Sequence, residues 1–354
     1  MPVLVEAGWV TPAEAGYAGA ANLGGYLVGA ILSLTLLAGR PAGPVVRLAL
    51  LASSLSALAC AFQLSFAWLV FWRLVVGIAG SILMIVGTSA SLARLPLARR
   101  GLASGVIFTG VGVGAASSSL IVPALLSQGL MATWVACAVA IGLATAFTWN
   151  QWRADPSGPA AAPMPVLPRN GRGLILLVLL VYGADTVGWV PHTIFWIDYI
   201  ARDLGLGVHA GAAFWTLFGL GALVGPLAVS TLAVRFGTGP ALILACLMKL
   251  AAVAAPLVGG ASTAGLVFSS LVVGALGPGT ATLISARLAQ ALPPELLRAA
   301  WAWATLVFAL SQTLGGLLMA RLHEQAGSAR PLFAVGCVFL ALAALAATQV
   351  ARRR

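Results

Sequence analysis

Lysine is all but missing from this sequence. Its one copy, Lys249, stands inside an apolar run, and charged residues of every kind fill only 8% of 354 positions. A water-soluble domain carries charge on about a quarter of its residues, so this composition excludes a soluble globule. Strand-like alternation of apolar and polar residues is absent too. The hydrophobic residues, 61% of the chain, fall instead in runs of about 20, the length that crosses a bilayer as a helix. Backbone groups in lipid have no water to bond and must satisfy one another, which restricts spanning segments to helices or closed barrels. Without alternation the helices win, and the fold class is an all-α integral membrane protein.

Further scarcities narrow the function. The net charge is +11, but the arginines are dispersed through short loops and no phosphate-gripping cluster exists, which argues against nucleic acid. Eight acidic residues, mostly scattered in loops, supply neither clustered carboxylates nor a Ser/His/Asp set, so a membrane-embedded enzyme is excluded. Cys60, Cys137, Cys246 and Cys337 all lie in apolar runs without metal-ligand spacing; they read as packing residues, and no metal or cofactor is expected. The opening "MPVLVEAGWVTPAEAG" lacks the basic start of a signal peptide.

What is present is a series of eleven apolar segments, near 12–38, 45–65, 67–92, 101–127, 130–150, 173–198, 208–233, 238–258, 260–285, 299–322 and 329–350. Thr11, Pro12 and Glu14 supply a capping box and a favourable first helical residue for the first. Arginines sort by side. Loops after the odd-numbered spans, with the C-terminal tail, hold Arg40, Arg47, Arg94, Arg99, Arg100, Arg153, Arg169, Arg172, Arg235, Arg287, Arg298, Arg352, Arg353 and Arg354; the other side holds only Arg202, Arg321 and Arg330. Positive loops stay in the cytoplasm, so the C-terminus is expected inside and the N-terminus outside. The one long proline-rich polar stretch, 151–172, reads as a cytoplasmic linker. It separates a bundle of five spans (1–150) from a bundle of six (173–354).

The chain repeats itself. "LVFWRLVVGIAG" from Leu69 returns as "LVFSSLVVGALG" from Leu266, and "GYLVG" from Gly25 as "GALVG" from Gly221. Both pairings relate the bundles by six spans, which leaves the sixth span without a partner in the first bundle. Two kindred six-helix bundles joined by a cytoplasmic linker are the plan of the major facilitator transporters. The residues resemble that superfamily: "RLVVG" from Arg73 is similar to its Arg-x-x-x-Gly motif, and "LAVRFG", with Arg235 and Gly237, to its loop motif. The first-half counterpart "AGRPAG" lacks the usual acidic residue. "AGWVTPAEAGYAGAANLGGYLVGA" from Ala7, "FTGVGVG" from Phe108 and "WTLFGLGALVGP" from Trp215 resemble an uncharacterised bacterial branch, the YbfB/YjiJ type. The resemblance implies a first helix ahead of "PVLVEAGW" that this sequence lacks; either the start is placed late or the protein works with eleven spans. It also implies a multi-pass protein of the bacterial inner membrane.

A few polar residues stand inside the spans. Arg73 lies near the outer end of span three. A charge in a membrane span is costly and normally faces a bundle interior or a wet cavity, so Arg73 is a candidate for attracting an anionic substrate or coupling to protons; the competing reading has it snorkelling beside Trp68 and Trp72. In span six, Asp185, Trp189 and His192 share one helical stripe about 10 Å long. Gly183, Gly188 and Pro191 weaken the helix around them. Asp185 is a candidate proton carrier facing a wet crevice. His192 belongs to the residue type that titrates near neutral pH but reads equally well as a satisfied structural histidine, and Trp189 offers a ring for a substrate or cation. Asp198 is expected in solvent at the outer end. Lys249 is a candidate ion-pair partner for Asp185. Gly277, Pro278 and Gly279 mark a helix break in span nine. Asn22 and Gln312 are candidates for substrate contact or for hydrogen bonds between helices. The Gly-x-x-x-Gly pairs (Gly25/Gly29, Gly101/Gly105, Gly221/Gly225) read as close helix packing, and "GVGVG" at Gly110 is no nucleotide motif, since no strand precedes it.

The function expected is secondary active transport of a small solute by alternating access, driven by protons because no nucleotide-binding module is present. The expected partners are that solute, protons and membrane lipid, with the protein acting as a monomer. The alternative is a non-transporting membrane receptor or scaffold.

Overall fold

The computed structural model describes residues 2–37, 40–93, 97–152, 172–259, 262–292 and 294–352. Most of the expected linker, 153–171, lies outside the described residues. Helices account for nearly everything else. The chain opens with a short helix, α1 (Pro2–Glu6), followed by α2 (Pro12–Leu34), α3 (Ala42–Ala59) and α4 (Phe66–Ile82). The α4 run continues through a π-helical turn, Leu83–Gly87, into α5 (Thr88–Ala93), and is followed by α6 (Leu97–Leu126) and α7 (Leu130–Thr148). After the linker come α8 (Arg172–Gly188), a π-helical turn Pro191–Phe195, α9 (Trp196–Asp198) and a second π-helical turn Tyr199–Asp203. The last five are α10 (Gly207–Phe236), α11 (Thr238–Gly259), α12 (Thr263–Ala291), α13 (Pro294–Ala326) and α14 (Arg330–Arg352).

Among the described residues ten helices are long and apolar enough to cross a membrane, and Val106–Ser118 within α6 is a shorter apolar stretch. Nine of the eleven expected spans correspond to one helix each; the third is the α4–α5 run and the sixth the run from α8 through α9, each interrupted by a π-helical turn. Local rules place their ends. Thr11 caps α2 as expected: Glu14 N–H donates to Thr11 Oγ1 at 3.2 Å, and Thr11 N–H donates to Glu14 Oε2 at 2.8 Å. Gly237 takes φ +87° where α10 stops, a backbone region open to glycine at little cost.

The residues form two compact units, one within Val3–Ala103 and Val122–Pro165, the other within Ser104–Ile121 and Val166–Arg354. Each is organised around an identical device. In the first, a Cβ on Gly25 of α2 would land on the carbonyl oxygen of Leu74, and one on Gly77 of α4 would land on that of Asn22. In the second, Gly221 of α10 meets the carbonyl of Leu271 and Gly274 of α12 meets that of Phe218. The four residues of one set correspond one for one to the other at the spacing of the sequence repeat. Glycine is required at these positions because the backbones touch. In lipid, where apolar side chains gain little from leaving the solvent, such close approach is a main source of helix association. Gly29 against Ile78 and Gly225 against Ala275 extend the match. The surroundings of Gly101 and Gly105 lie outside the described residues.

The correspondence reaches α3 and α11, which both begin on a Gly-Pro pair, Gly43-Pro44 and Gly239-Pro240. In the second unit α8 packs against α11, α12, α13 and α14, and the core runs from Ile175 and Tyr182 near its start to Trp196 and Ile200 near its end. In the first unit Leu4, Val10, Ala15, Ala18, Cys60 and Leu69 form a small apolar cluster around α1.

Candidate functional site

The polar residues of the second unit gather along α8 and its continuation. Gly188 permits the start: its backbone lies against Leu340 and Gly336 of α14, with no room for a Cβ. Pro191 lacks the N–H that would continue the α-helical ladder, and the chain winds as a π-helical turn from that residue. Such one-residue wide turns cluster at functional sites.

Three cross-helix links run from the middle of the span toward its C-terminal end. In the innermost, Lys249 Nζ of α11 donates to Asp185 Oδ2 at 2.7 Å, to Asp185 Oδ1 at 3.0 Å and to Thr280 Oγ1 of α12 at 2.9 Å. An ammonium has three donors, so Lys249 is saturated. Thr280 sends its own proton to Leu276 O at 2.7 Å. Lys249 is 0% exposed and Asp185 1%, so the pair is sealed. The expectation that Asp185 faces a wet crevice is therefore corrected: Lys249 and Thr280 from two neighbouring helices close over its carboxylate. The Lys249 ammonium also stands 5.6 Å from the Trp189 ring centroid, and Trp189 lies against Gly277 of α12, whose Cβ position is 3.2 Å from the ring.

The second link joins His192 to Ser269, Nε2 to Oγ, at 2.8 Å. Ser269 sends its only proton to Ala252 O at 2.7 Å, so His192 Nε2 must be the donor. In the neutral ring Nδ1 is then a bare acceptor, and it has no partner among the described residues. Trp196 stacks on the imidazole at 4.3 Å between centroids, and Phe333 meets it edge-on at 5.5 Å. The third link is Trp196 Nε1 donating to Ser270 Oγ at 3.0 Å. Asp185, Trp189, His192 and Trp196 thus continue a single stripe: Asp185 accepts from Lys249 on α11, while His192 and Trp196 donate to hydroxyls on α12.

The remaining expected residues are dispersed. Asp198 is not solvated: it is buried, pairs with Arg202 one turn on, and lies 3.7 Å from His323 Nε2 of α13. The C-terminal end of α13 covers it, a contact that no local pattern encodes. Gln312 is 3% exposed, and neither end of its amide has a partner among the described residues. Asn22 gives its backbone carbonyl to the Gly77 contact. The helix break expected at Gly277, Pro278 and Gly279 is corrected: Pro278 lies within a continuous α12, its missing N–H tolerated inside the helix, flanked by Gly277 under Trp189 and by Gly279, whose Cβ position is 3.2 Å from Val229. Arg235 rests 5.3 Å from the Phe236 ring at the end of α10, two residues before the Gly237 turn. Arg73, in the first unit, is half-buried, with its Nε lacking a hydrogen-bond partner among the described residues. Thr280, Ser269, Ser270 and Trp196 were not singled out from sequence; the signal available for Trp196 was its place four residues after His192 on the same face.

A helical membrane chain built from two units with matching glycine contacts has the organisation of a major facilitator transporter. The family model described as "Uncharacterised MFS-type transporter YbfB" matches residues 1–348; the chain belongs to that family and is a membrane transporter. A comparison with curated proteins gave no match. Among solved structures the fold is similar to the crystal structure of the human organic anion transporter MFSD10 (TETRAN), with a TM-score of 0.64 and 17% sequence identity, covering 95% of this chain and 82% of that one. At that identity the likeness speaks for the fold alone.

Proposed function

We propose that this protein is a proton-coupled secondary transporter of a small solute, acting as a monomer in the bacterial inner membrane with its C-terminus in the cytoplasm. The observation that carries the coupling is the sealed Asp185–Lys249–Thr280 triad. One partner of a buried ion pair cannot change charge without large cost to the other. A proton arriving on the Asp185 carboxylate would remove the charge that holds Lys249, weaken both of its bonds to that residue, and release α8 from α11. Loss of the proton would restore the clamp. Trp189, resting on the Lys249 side, would move with it and transmit the change to bound solute. Gly188 and Pro191 in the α8 run, and Gly277, Pro278 and Gly279 in α12, would be the points at which the two helices flex. His192, with Nδ1 lacking a partner among the described residues, offers a second proton position about two helical turns farther along the run. Gln312 presents an unpartnered donor and acceptor for a polar solute.

The test uses purified protein in sealed vesicles with an internal pH dye and a broad panel of metabolites. A solute that drives proton movement in the parent chain, and fails to do so in Asp185→Asn while still binding, supports the reading. Solute flux that stays proton-coupled in Asp185→Asn removes Asp185 from the coupling step.

A further inference from the structure

Aromatic rings of the second unit form a continuous run across three helices. Tyr182 of α8 stacks on Phe308 of α13 at 5.6 Å between centroids, and Phe308 meets Trp189 at 6.5 Å. Trp189 meets Phe218 of α10 at 6.4 Å, and Phe218 stacks on Trp215 at 4.6 Å with 5° between the planes. Ring pairs favour centroid separations of about 4.5–7 Å, so Trp215 and Phe218 are tightly stacked while both contacts of Trp189 lie near the wide limit. Trp189 and Phe308 are only half-buried, and the middle of the run keeps ring surface uncovered.

Polar groups without partners stand at the same level. Along the α8 run Thr186 follows Tyr182 by four residues and precedes Trp189 by three; on α13 Gln312 follows Phe308 by four. Residues at those spacings share a helix face. The two helices touch on either side of this level. The Cβ position of Gly183 is 3.0 Å from Val307 and 3.1 Å from Ser311 Oγ, and that of Gly315 is 3.2 Å from Val190. Between those contacts Thr186 and Gln312 are buried, and Thr186 Oγ1 and both ends of the Gln312 amide lack a partner among the described residues. Thr280, Thr305 and Thr313 each bond the carbonyl one turn back; Thr186 does not. Buried polar atoms are nearly always satisfied, and three orphans at one level of one seam share one explanation.

The chemistry of the seam selects its occupant. An amide side chain holds an acceptor and a donor group in one plane. Its complement is a donor and an acceptor side by side, the edge of a cyclic amide or amidine, as when glutamine reads adenine. The rings accept the faces of a flat molecule. The charge that borders them, the Lys249 ammonium, is matched by Asp185. An ionised solute therefore finds no counter-charge there among the described residues, and a buried unmatched charge is costly.

We propose that the α8/α13 seam is the solute seat, and that the solute is a flat, uncharged heteroaromatic molecule with a hydrogen-bond donor and acceptor adjacent on one edge. That edge pairs with Gln312, Thr186 adds a hydroxyl contact, and the faces lie along Phe308 and Trp189. The contacts of Gly183 and Gly315 close the seam in this conformation, so loading requires α13 to lift from α8. This solute class presupposes the carrier function proposed above.

The test measures binding to the purified full chain by equilibrium dialysis, with no gradient. The probes are carbostyril, a fused-ring cyclic amide, and its N-methyl derivative, which has lost the donor. Naphthoate and N-methylquinolinium serve as an anion and a cation of similar outline. Carbostyril should bind saturably and more tightly than either ion. The N-methyl compound should bind about tenfold or more weakly, because it leaves the Gln312 carbonyl unpaired. Gln312→Met should make the two amides equal, and Trp189→Leu should weaken both while keeping their ratio. Gln312→Asn, which withdraws the amide from the seam, should also shrink the preference and gives the same reading where the methionine variant does not fold. Absence of saturable binding, equal binding of the two amides by the parent chain, a preference that survives both Gln312 variants, or tighter binding of either ion would each overturn the proposal. These outcomes leave the Asp185 coupling reading standing, and proton-independent flux in sealed vesicles would leave the solute class standing.

Discussion

At the scale of single residues, the Asp185–Lys249 pair makes a prediction with two directions. Removing one partner leaves an uncompensated buried charge, typically about 3–5 kcal/mol, so Asp185→Leu and Lys249→Leu should each lower the melting temperature sharply. The double variant removes both charges and should recover most of that loss. A double variant as unstable as the sum of the singles would show that the two residues act independently. Ser269→Ala should leave His192 without its acceptor at a cost of about 1–3 kcal/mol, readable as a smaller melting shift. Part of this site was legible in the sequence. A carboxylate and the only lysine, both inside apolar runs, have few ways to be satisfied except by each other. The hydroxyls were not legible, because serine and threonine in these helices commonly bond the carbonyl one turn back, as Ser33 does to Gly29 O at 2.8 Å and Thr145 to Ile141 O at 2.8 Å. Nothing local separates those from Ser269 and Ser270, which receive bonds from another helix. Asp198 was misjudged for a related reason. Its cover, His323, stands on α13, more than a hundred positions along the chain.

At the scale of elements, the glycine contacts separate two kinds of small residue. Gly221→Leu should part α10 from α12 and cost about 1–3 kcal/mol or more, since its Cβ position lies only 2.2 Å from the Leu271 carbonyl oxygen. Gly80→Ala meets no neighbour and should be neutral, or should stabilise by up to about 1 kcal/mol through helix propensity. Melting curves of the two variants check the contrast, and equal losses would contradict the packing. The sequence showed these elements clearly, since a 20-residue apolar run has one solution in lipid. The interruption of span six was legible only as weakness, from Gly188 and Pro191. The π-helical form it takes depends on the neighbours that hold His192 and Trp196 in place.

At the scale of the whole molecule, the duplication visible in two short strings turned out to describe backbone contacts. It was readable because glycine at a touching surface has no substitute, while the residues between such points have drifted. The arginine distribution predicts that a reporter fused after Arg352 lies in the cytoplasm. A fluorescent protein placed there should mature and an alkaline phosphatase should stay inactive; the opposite pattern would invert the topology. Finally, the burial of Lys249 gives the protein an unusual chemical silence. With its sole side-chain amine enclosed, the native fold should offer acylating reagents nothing but the amino terminus. A mass spectrum of the ester-treated protein would then show a single adduct in gentle detergent and a second only after denaturation, so that simple amine chemistry becomes a gauge of whether the heart of the second unit has opened.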